Sequence, residues 1–308
     1  MNVVSNTSKL REMLSVWLAS HLPADRWQWL SAQVQAVANG AADRQVFTTF
    51  SLITRQVGKT ELSLYPAQIV AAQALCPGWE PQYWSVDQVA RSWLLLSLPH
   101  DDAASVAHRF EQLFTTAGLQ ELIALYQTLP LLPYPERYRF WADEGVRSHM
   151  KGVFDAIVLR NPYPTQQFDQ DAWNQMVLKT IFVDSPLYPI YGLDQRRNSL
   201  LARMAIDYVH ERWAAHRRIT PELWRLVVPF VDAAVHPAML LDLQKGLAMD
   251  DLVQRQAIGL CCFESGNAEA LALLAPYPEL RQQLEAGELD WAGIGDRRKL
   301  ISSTPVAA

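Results

Sequence analysis

Apolar residues along this chain recur with the period of an α-helix almost from end to end. Leu10, Met13, Leu14, Trp17 and Leu18 open the pattern at spacings i, i+3, i+4, i+7 and i+8, which is one face of a helix. The same period predicts helices over 7–21, 23–38, 42–55, 66–75, 85–98, 101–115, 118–129 and 134–157. In the second half it predicts helices over 169–183, 197–217, 220–234, 237–247, 249–263, 267–274 and 277–286. Asp25, Asp43 and Ser85 stand where N-caps or first-turn residues belong. The links are short and carry Pro, Gly or Asp, as in LPLLPYP at 129–135, NPYP at 161–164 and APYP at 275–278. No alternating run with a Gly-containing hairpin turn interrupts them, so the chain reads as all-α.

Consecutive short helices in pairs suggest an irregular α-solenoid, a HEAT-like array of helical hairpins. DDLVQRQAIGLCCFESGNAEALALL is the clearest such pair, and VDQVARSWLLLSLPHDDAASVAHRFEQLF resembles it. No fixed repeat period runs through the chain, so the solenoid rests on architecture rather than on self-similarity. The expectation is one helical-repeat-like domain over 1–296, with a junction near 158–165 as the point of any subdivision. SSTPVAA lacks periodic apolar positions, and 297–308 is expected to be a disordered tail.

Composition narrows the function classes. A net charge of −5 supplies no basic stripe for nucleic acid. Three cysteines without zinc-site spacing read as buried thiols of a cytoplasmic protein, with no metal or cofactor implied. No apolar run is long enough to span a bilayer. Glu12 and the lack of a small-x-small site argue against a secretory signal at the start. Peripheral membrane association through the Leu10–Leu22 helix is a weaker option. Eleven tryptophans are many for 308 residues. They fill helix–helix interfaces in one reading and line an aromatic pocket in the other.

Polar residues interleave with apolar ones most densely between Asn161 and Pro237. On helix 169–183, Asn174 falls inside the apolar arc with Trp173, where a buried amide needs partners. On helix 197–217, Leu200, Leu201, Met204, Ala205 and Tyr208 share a face on which Glu211 and Arg212 also fall. Arg203, Asp207 and Glu211 have the spacing of a ladder of charge pairs. Before this helix, Asp194, Arg196, Arg197 and Asn198 crowd one turn. Asn198 or Ser199 suits a cap, and the arginines suit a carboxylate or phosphate. His210 lies on the more polar side with Asp207, and its surroundings are not HExxH. The candidate ligand-binding set is therefore Trp173, Asn174, Asp194, Arg196, Asn198, Asp207, Tyr208, His210, Glu211 and Arg212. It is either a structural ion network or the polar end of a pocket. No nucleophile elbow, P-loop or dinucleotide fingerprint occurs, and the catalytic residues are unknown.

The ordered series NPYP…FD…AWNQMVLKTIF, GLDQRRN…LARMAIDYVHERWAAHR and TPELWRLVVPF resembles the EboA family of bacterial proteins. It places Asn161, Pro162, Trp173, Asn174, Gln175, Lys179, Gly192, Asp194, Arg196, Asn198, Asp207, Tyr208, His210, Glu211 and Arg212 as motif members of undefined role. The resemblance implies a cytoplasmic accessory protein of a secondary-metabolite gene cluster, helping to move a product or precursor from cytoplasm toward periplasm. Its implied partners are proteins of the same cluster, a small aromatic or prenylated metabolite, or both. The alternative is an enzyme, an isomerase or hydrolase, using Glu211, Arg212, Asp194 and Asn174.

Overall fold

A computed structural model describes residues 3–100, 102–232 and 234–302. The described residues are all-α, with a single antiparallel bridge between Glu61 and Ser85 in place of any sheet. The chain divides into two compact units, Met1–Ala172 and Trp173–Ala308.

In the first unit α1 (Val3–His21), α2 (Ala24–Ala38), α3 (Asp43–Val57) and α4 (Pro66–Leu75) precede α5 (Val86–Leu96). Leu10, Leu14, Trp17 and Leu18 of α1 are buried, as its periodicity predicts. That face is thereby spent on the protein core and is not free for a membrane surface. No helix among the described residues is long and apolar enough to cross a membrane. Helix α5 is the hub. Every one of its residues except Gln88 is buried, and it packs against α1, α2, α3 and α7 (Leu119–Thr128). Ser85 stands at its N-cap: the Gln88 side chain accepts the Ser85 N–H at 2.8 Å, the return arm of a capping box, while the Ser85 hydroxyl donates to Asp87.

The interior of this hub holds an ion pair. Arg91 donates to Asp87 at 2.9 Å, with the two side chains only 2% and 1% exposed. The Thr54 and Ser85 hydroxyls donate to the same carboxylate at 2.6 and 2.5 Å, and Arg91 Nε donates to the Phe50 carbonyl at 3.2 Å. A carboxylate with this many donors is adequately compensated for its lost water.

Helices α6 (Ala103–Thr116), α8 (Arg139–Arg147), α9 (Lys151–Val158) and α10 (Tyr163–Gln167) complete the unit. The helix expected over 134–157 is divided. A 3₁₀ turn covers Pro135–Tyr138, and the backbone is extended at Ser148, whose hydroxyl accepts the Met150 N–H at 3.1 Å and restarts the helix. Gly145 lets α8 close on the Tyr126 ring, which a Cβ there would meet at 2.5 Å. Asn161 is buried and ties the NPYP turn. Its amide donates to the carbonyls of Tyr126 and Ala156, and its oxygen accepts the Tyr163 N–H.

Helix α11 (Gln170–Phe182) carries the unit boundary within its first turn. The second unit continues with α12 (Ser199–Ala214), α13 (Met239–Leu247), α14 (Leu252–Glu264), α15 (Ala268–Ala272), α16 (Pro278–Glu285) and α17 (Trp291–Ser302). Here α14 is the hub, packing against α13, α15, α16, α17 and a 3₁₀ segment, Pro221–Leu226. In each unit one central helix gathers several neighbours, α5 in the first and α14 in the second. Helix α17 was not expected; its backbone covers the start of the presumed tail, and the rest of that tail, 303–308, lies outside the described residues.

The helix expected over 220–234 is replaced by two 3₁₀ segments, Pro221–Leu226 and Val228–Phe230. Pro229 explains this. It has no N–H to offer the Arg225 carbonyl four residues back. That carbonyl is instead taken by the Arg197 guanidinium at 2.9 Å. All three cysteines are buried, and burial pushes the Cys76 and Cys262 thiols up to about 12 and the Cys261 thiol well above its usual value.

Removing Asp87 leaves Arg91 charged and uncompensated in the α5 core. Asp87→Ala is expected to lower the unfolding free energy by about 3–5 kcal/mol, read from the midpoint of a urea titration.

Candidate functional site

Nine of the ten sequence candidates of the second unit fall into three separate groups, and Glu211 stands apart. The first secures the start of α12. Asn198 is its N-cap, accepting the Leu201 N–H at 2.9 Å. Asn174, 2% exposed on α11, meets it side chain to side chain. Asn198 donates to the Asn174 oxygen at 2.8 Å, and Asn174 donates back at 3.4 Å. The buried amide thus finds its partner in the neighbouring cap. Arg196 lies over the buried Trp173 ring, 4.6 Å from its centroid. Asp194 receives both ends of the Arg225 guanidinium, at 2.9 and 2.7 Å, with Arg197 at 3.6 Å. Partial burial alone would raise the Asp194 carboxyl. The bonds and charge of Arg225, with the charge of Arg197, outweigh it and hold the group below the usual aspartate range. The arginines of this turn serve protein carboxylate, carbonyl and indole.

The second group lies where α12 faces the segment before α13. His210 shares a hydrogen bond with Asp242 at 2.9 Å, and the His236 ring is 5.2 Å away. The exposed Asp207 is 4.0 Å from His236. The Ala238 N–H donates to His236 Nδ1 at 3.3 Å. No group of three or more His, Cys, Asp or Glu among the described residues has the arrangement to hold a metal ion.

Tyr208 and Arg212, one turn apart, form the third group, and they line a cleft of about 270 Å³. Phe182 from the end of α11 stands edge-on to Tyr208 with centroids 5.1 Å apart, and it is 61% exposed. Arg212 donates through Nε to the Arg218 carbonyl at 2.8 Å and passes 5.8 Å from the Tyr208 ring centroid. Arg218, Asp184 and Asp251 complete the polar side. Asp251 also caps α14, accepting the N–H groups of Val253 and Gln254 at 3.1 Å. Asp184 holds a left-handed turn at φ 55°, which redirects the chain as α11 ends. The cleft therefore has an aromatic wall, two guanidinium groups and two carboxylates.

Glu211 does not join this cleft. The apolar face of α12 is set by Leu201, Ala202, Ala205, Ile206 and Val209. It is rotated by about one residue from the arc built on Leu200 and Met204. Leu200 is 49% exposed, and Asp207 and Glu211 point to solvent. Arg203, Asp207 and Glu211 form no ion pair with one another among the described residues.

Three buried polar residues of the second unit were missed from sequence. Glu222 is fully buried and accepts the N–H groups of Leu187, at 3.1 and 3.2 Å, and Tyr188, at 2.6 Å. Gln254 accepts from Trp224 Nε1 at 3.1 Å and donates to the Ile219 carbonyl, fixing the cleft floor. Asp242 is the buried partner of His210. Their signal was a single polar residue inside an apolar word, as in PELW and LLDL.

An all-α protein with a small amphiphilic cleft and a polar network devoted to its own helix ends is the class defined here. The chain belongs to the EboA family: the sequence model described as metabolite traffic protein EboA matches residues 10–228. That span includes Phe182, Tyr208, Arg212 and Arg218 but not Asp251. Neither the curated proteins nor the solved structures contain a match to the chain.

The lowered Asp194 value has a defined pH signature. A depressed carboxyl contributes stability above its unfolded value, about 3.9, and loses it as pH falls through the folded value. Asp194→Asn is expected to melt below the unsubstituted chain at pH 7, with the two melting temperatures converging as the pH is lowered through the acid range.

Proposed function

We propose that the chain is a non-enzymatic accessory protein of metabolite traffic that holds a small molecule in the cleft of its second unit. The juxtaposition of Phe182 and Tyr208 with Arg212 carries this reading. An exposed aromatic edge pair suits a planar or prenyl-like apolar group, and a guanidinium suits a carboxylate or phosphate. The family description supports traffic of a metabolite. The molecule would be a product or precursor of a secondary-metabolite pathway, handed from the cytoplasmic side toward the periplasm with help from proteins of the same gene cluster. The residues of the enzymatic alternative are engaged with different partners: Asn174 with Asn198, Asp194 with Arg225, Arg212 with the cleft, Glu211 with solvent.

Native mass spectrometry of the full chain, purified from cells that run the pathway, tests the reading. A small-molecule adduct is expected on the unsubstituted chain. Arg212→Gln and Tyr208→Ala are each expected to weaken its retention by about tenfold or more, the scale of one charge-assisted hydrogen bond or one aromatic contact. An adduct unaffected by either substitution, or no adduct at all, would overturn the proposal.

A further inference from the structure

Helix α4 is at odds with its position. Its ten residues, PAQIVAAQAL, contain no charge, yet only Ala72 is buried. Val70 is 68% exposed, Tyr65 before the helix is 77% exposed, and Val16 on the neighbouring α1 is 58% exposed. Between α1 and α4 runs an open apolar groove of about 580 Å³, floored by Trp17 and Met13 and edged by Ala71 and Ala74. Scattered apolar residues on a surface need no explanation, but a contiguous apolar groove beside an uncharged helix marks an interaction surface.

The charges at the groove decide what covers it. Two ionised side chains line it, Lys9 and Glu12, three residues apart on α1. Neighbours at that spacing can pair along a helix. Neither makes an ion pair among the described residues, whereas Arg147–Glu144 and Arg281–Glu285 do so elsewhere at helical spacing. One positive and one negative group cancel, so the groove selects neither an acidic nor a basic partner and offers an anionic lipid surface no net attraction. A surface with adjacent opposite charges is complementary to itself under a two-fold rotation, in which each charge meets its opposite on the second copy.

We infer that the α1–α4 groove is an isologous interface that joins two copies of this chain, with Lys9 of each copy facing Glu12 of the other. Val16, which lines the groove, loses its solvent contact in that arrangement, and α4 acquires the partner that its composition demands. The inference is independent of the cleft between α11 and α12.

Sedimentation velocity on the full chain over about 1 to 100 μM tests it. A concentration-dependent monomer–dimer equilibrium is expected. Glu12→Lys alone and Lys9→Glu alone each place like charges across the axis and are expected to weaken the dimer at least tenfold. The double variant carrying both substitutions restores opposite charges and is expected to recover the affinity to within about threefold. Val16→Asp is expected to leave a monomer with an unchanged circular dichroism spectrum. The inference is overturned if the unsubstituted chain is monomeric throughout the range. It is equally overturned if the double variant stays as weak as the single ones, or if dimers form with no response to any of these substitutions.

Discussion

An ionised group taken out of water must be given hydrogen bonds in return, and the interior of each unit is arranged around that demand. In the first unit Asp87 and Arg91 sit inside the helix that every neighbour packs against. Thr54 and the Phe50 carbonyl of α3 turn toward them, so α3 cannot shift along α5 without stranding a charge. In the second unit the buried Glu222 likewise gathers backbone donors. It collects the N–H groups of the chain at Leu187 and Tyr188, and Gly295 lets α17 close over it, since a Cβ there would lie 2.8 Å from the Glu222 carboxyl carbon. Apolar burial supplies most of the driving force in both units. The buried carboxylates determine which helix faces which.

Much of this was legible in the chain. The face of α1 follows from five apolar residues at helical spacing, because burial and periodicity are the same fact seen twice. The all-α class follows from the absence of alternating strands. Helix interruptions were less legible. At Pro229 the sequence displays the cause, but the Arg197 guanidinium that takes the orphaned Arg225 carbonyl lies 28 residues before it. At Ser148 a local hydroxyl competes with the helix by accepting the Met150 N–H.

The candidate site was legible in part. Tyr208 and Arg212 were chosen for standing on one helix, and they do share a cleft. Asn174 was read as a buried amide needing a partner, and Asn198 is that partner. Glu211 failed because α12 is mixed in composition: Leu200 and Met204 gave its apolar arc one direction, while the small residues Ala202 and Ala205 form the packed face. A wheel weighted by hydrophobicity undervalues alanine, which packs closely through its size. Phe182, Asp184 and Arg218 reach the cleft through chain turns that no periodicity reports.

The depth of the cysteines has a consequence of its own. Thiolate is the form that reacts with electrophiles, and burial leaves almost none of it at neutral pH. Cys76 belongs to one unit, and Cys261 with Cys262 to the other. Alkylation therefore has to wait for the surrounding helices to open. Each thiol acts as a clock for its own unit, and the two rates, followed side by side in one sample, distinguish a chain that breathes unit by unit from one that opens in a single cooperative event.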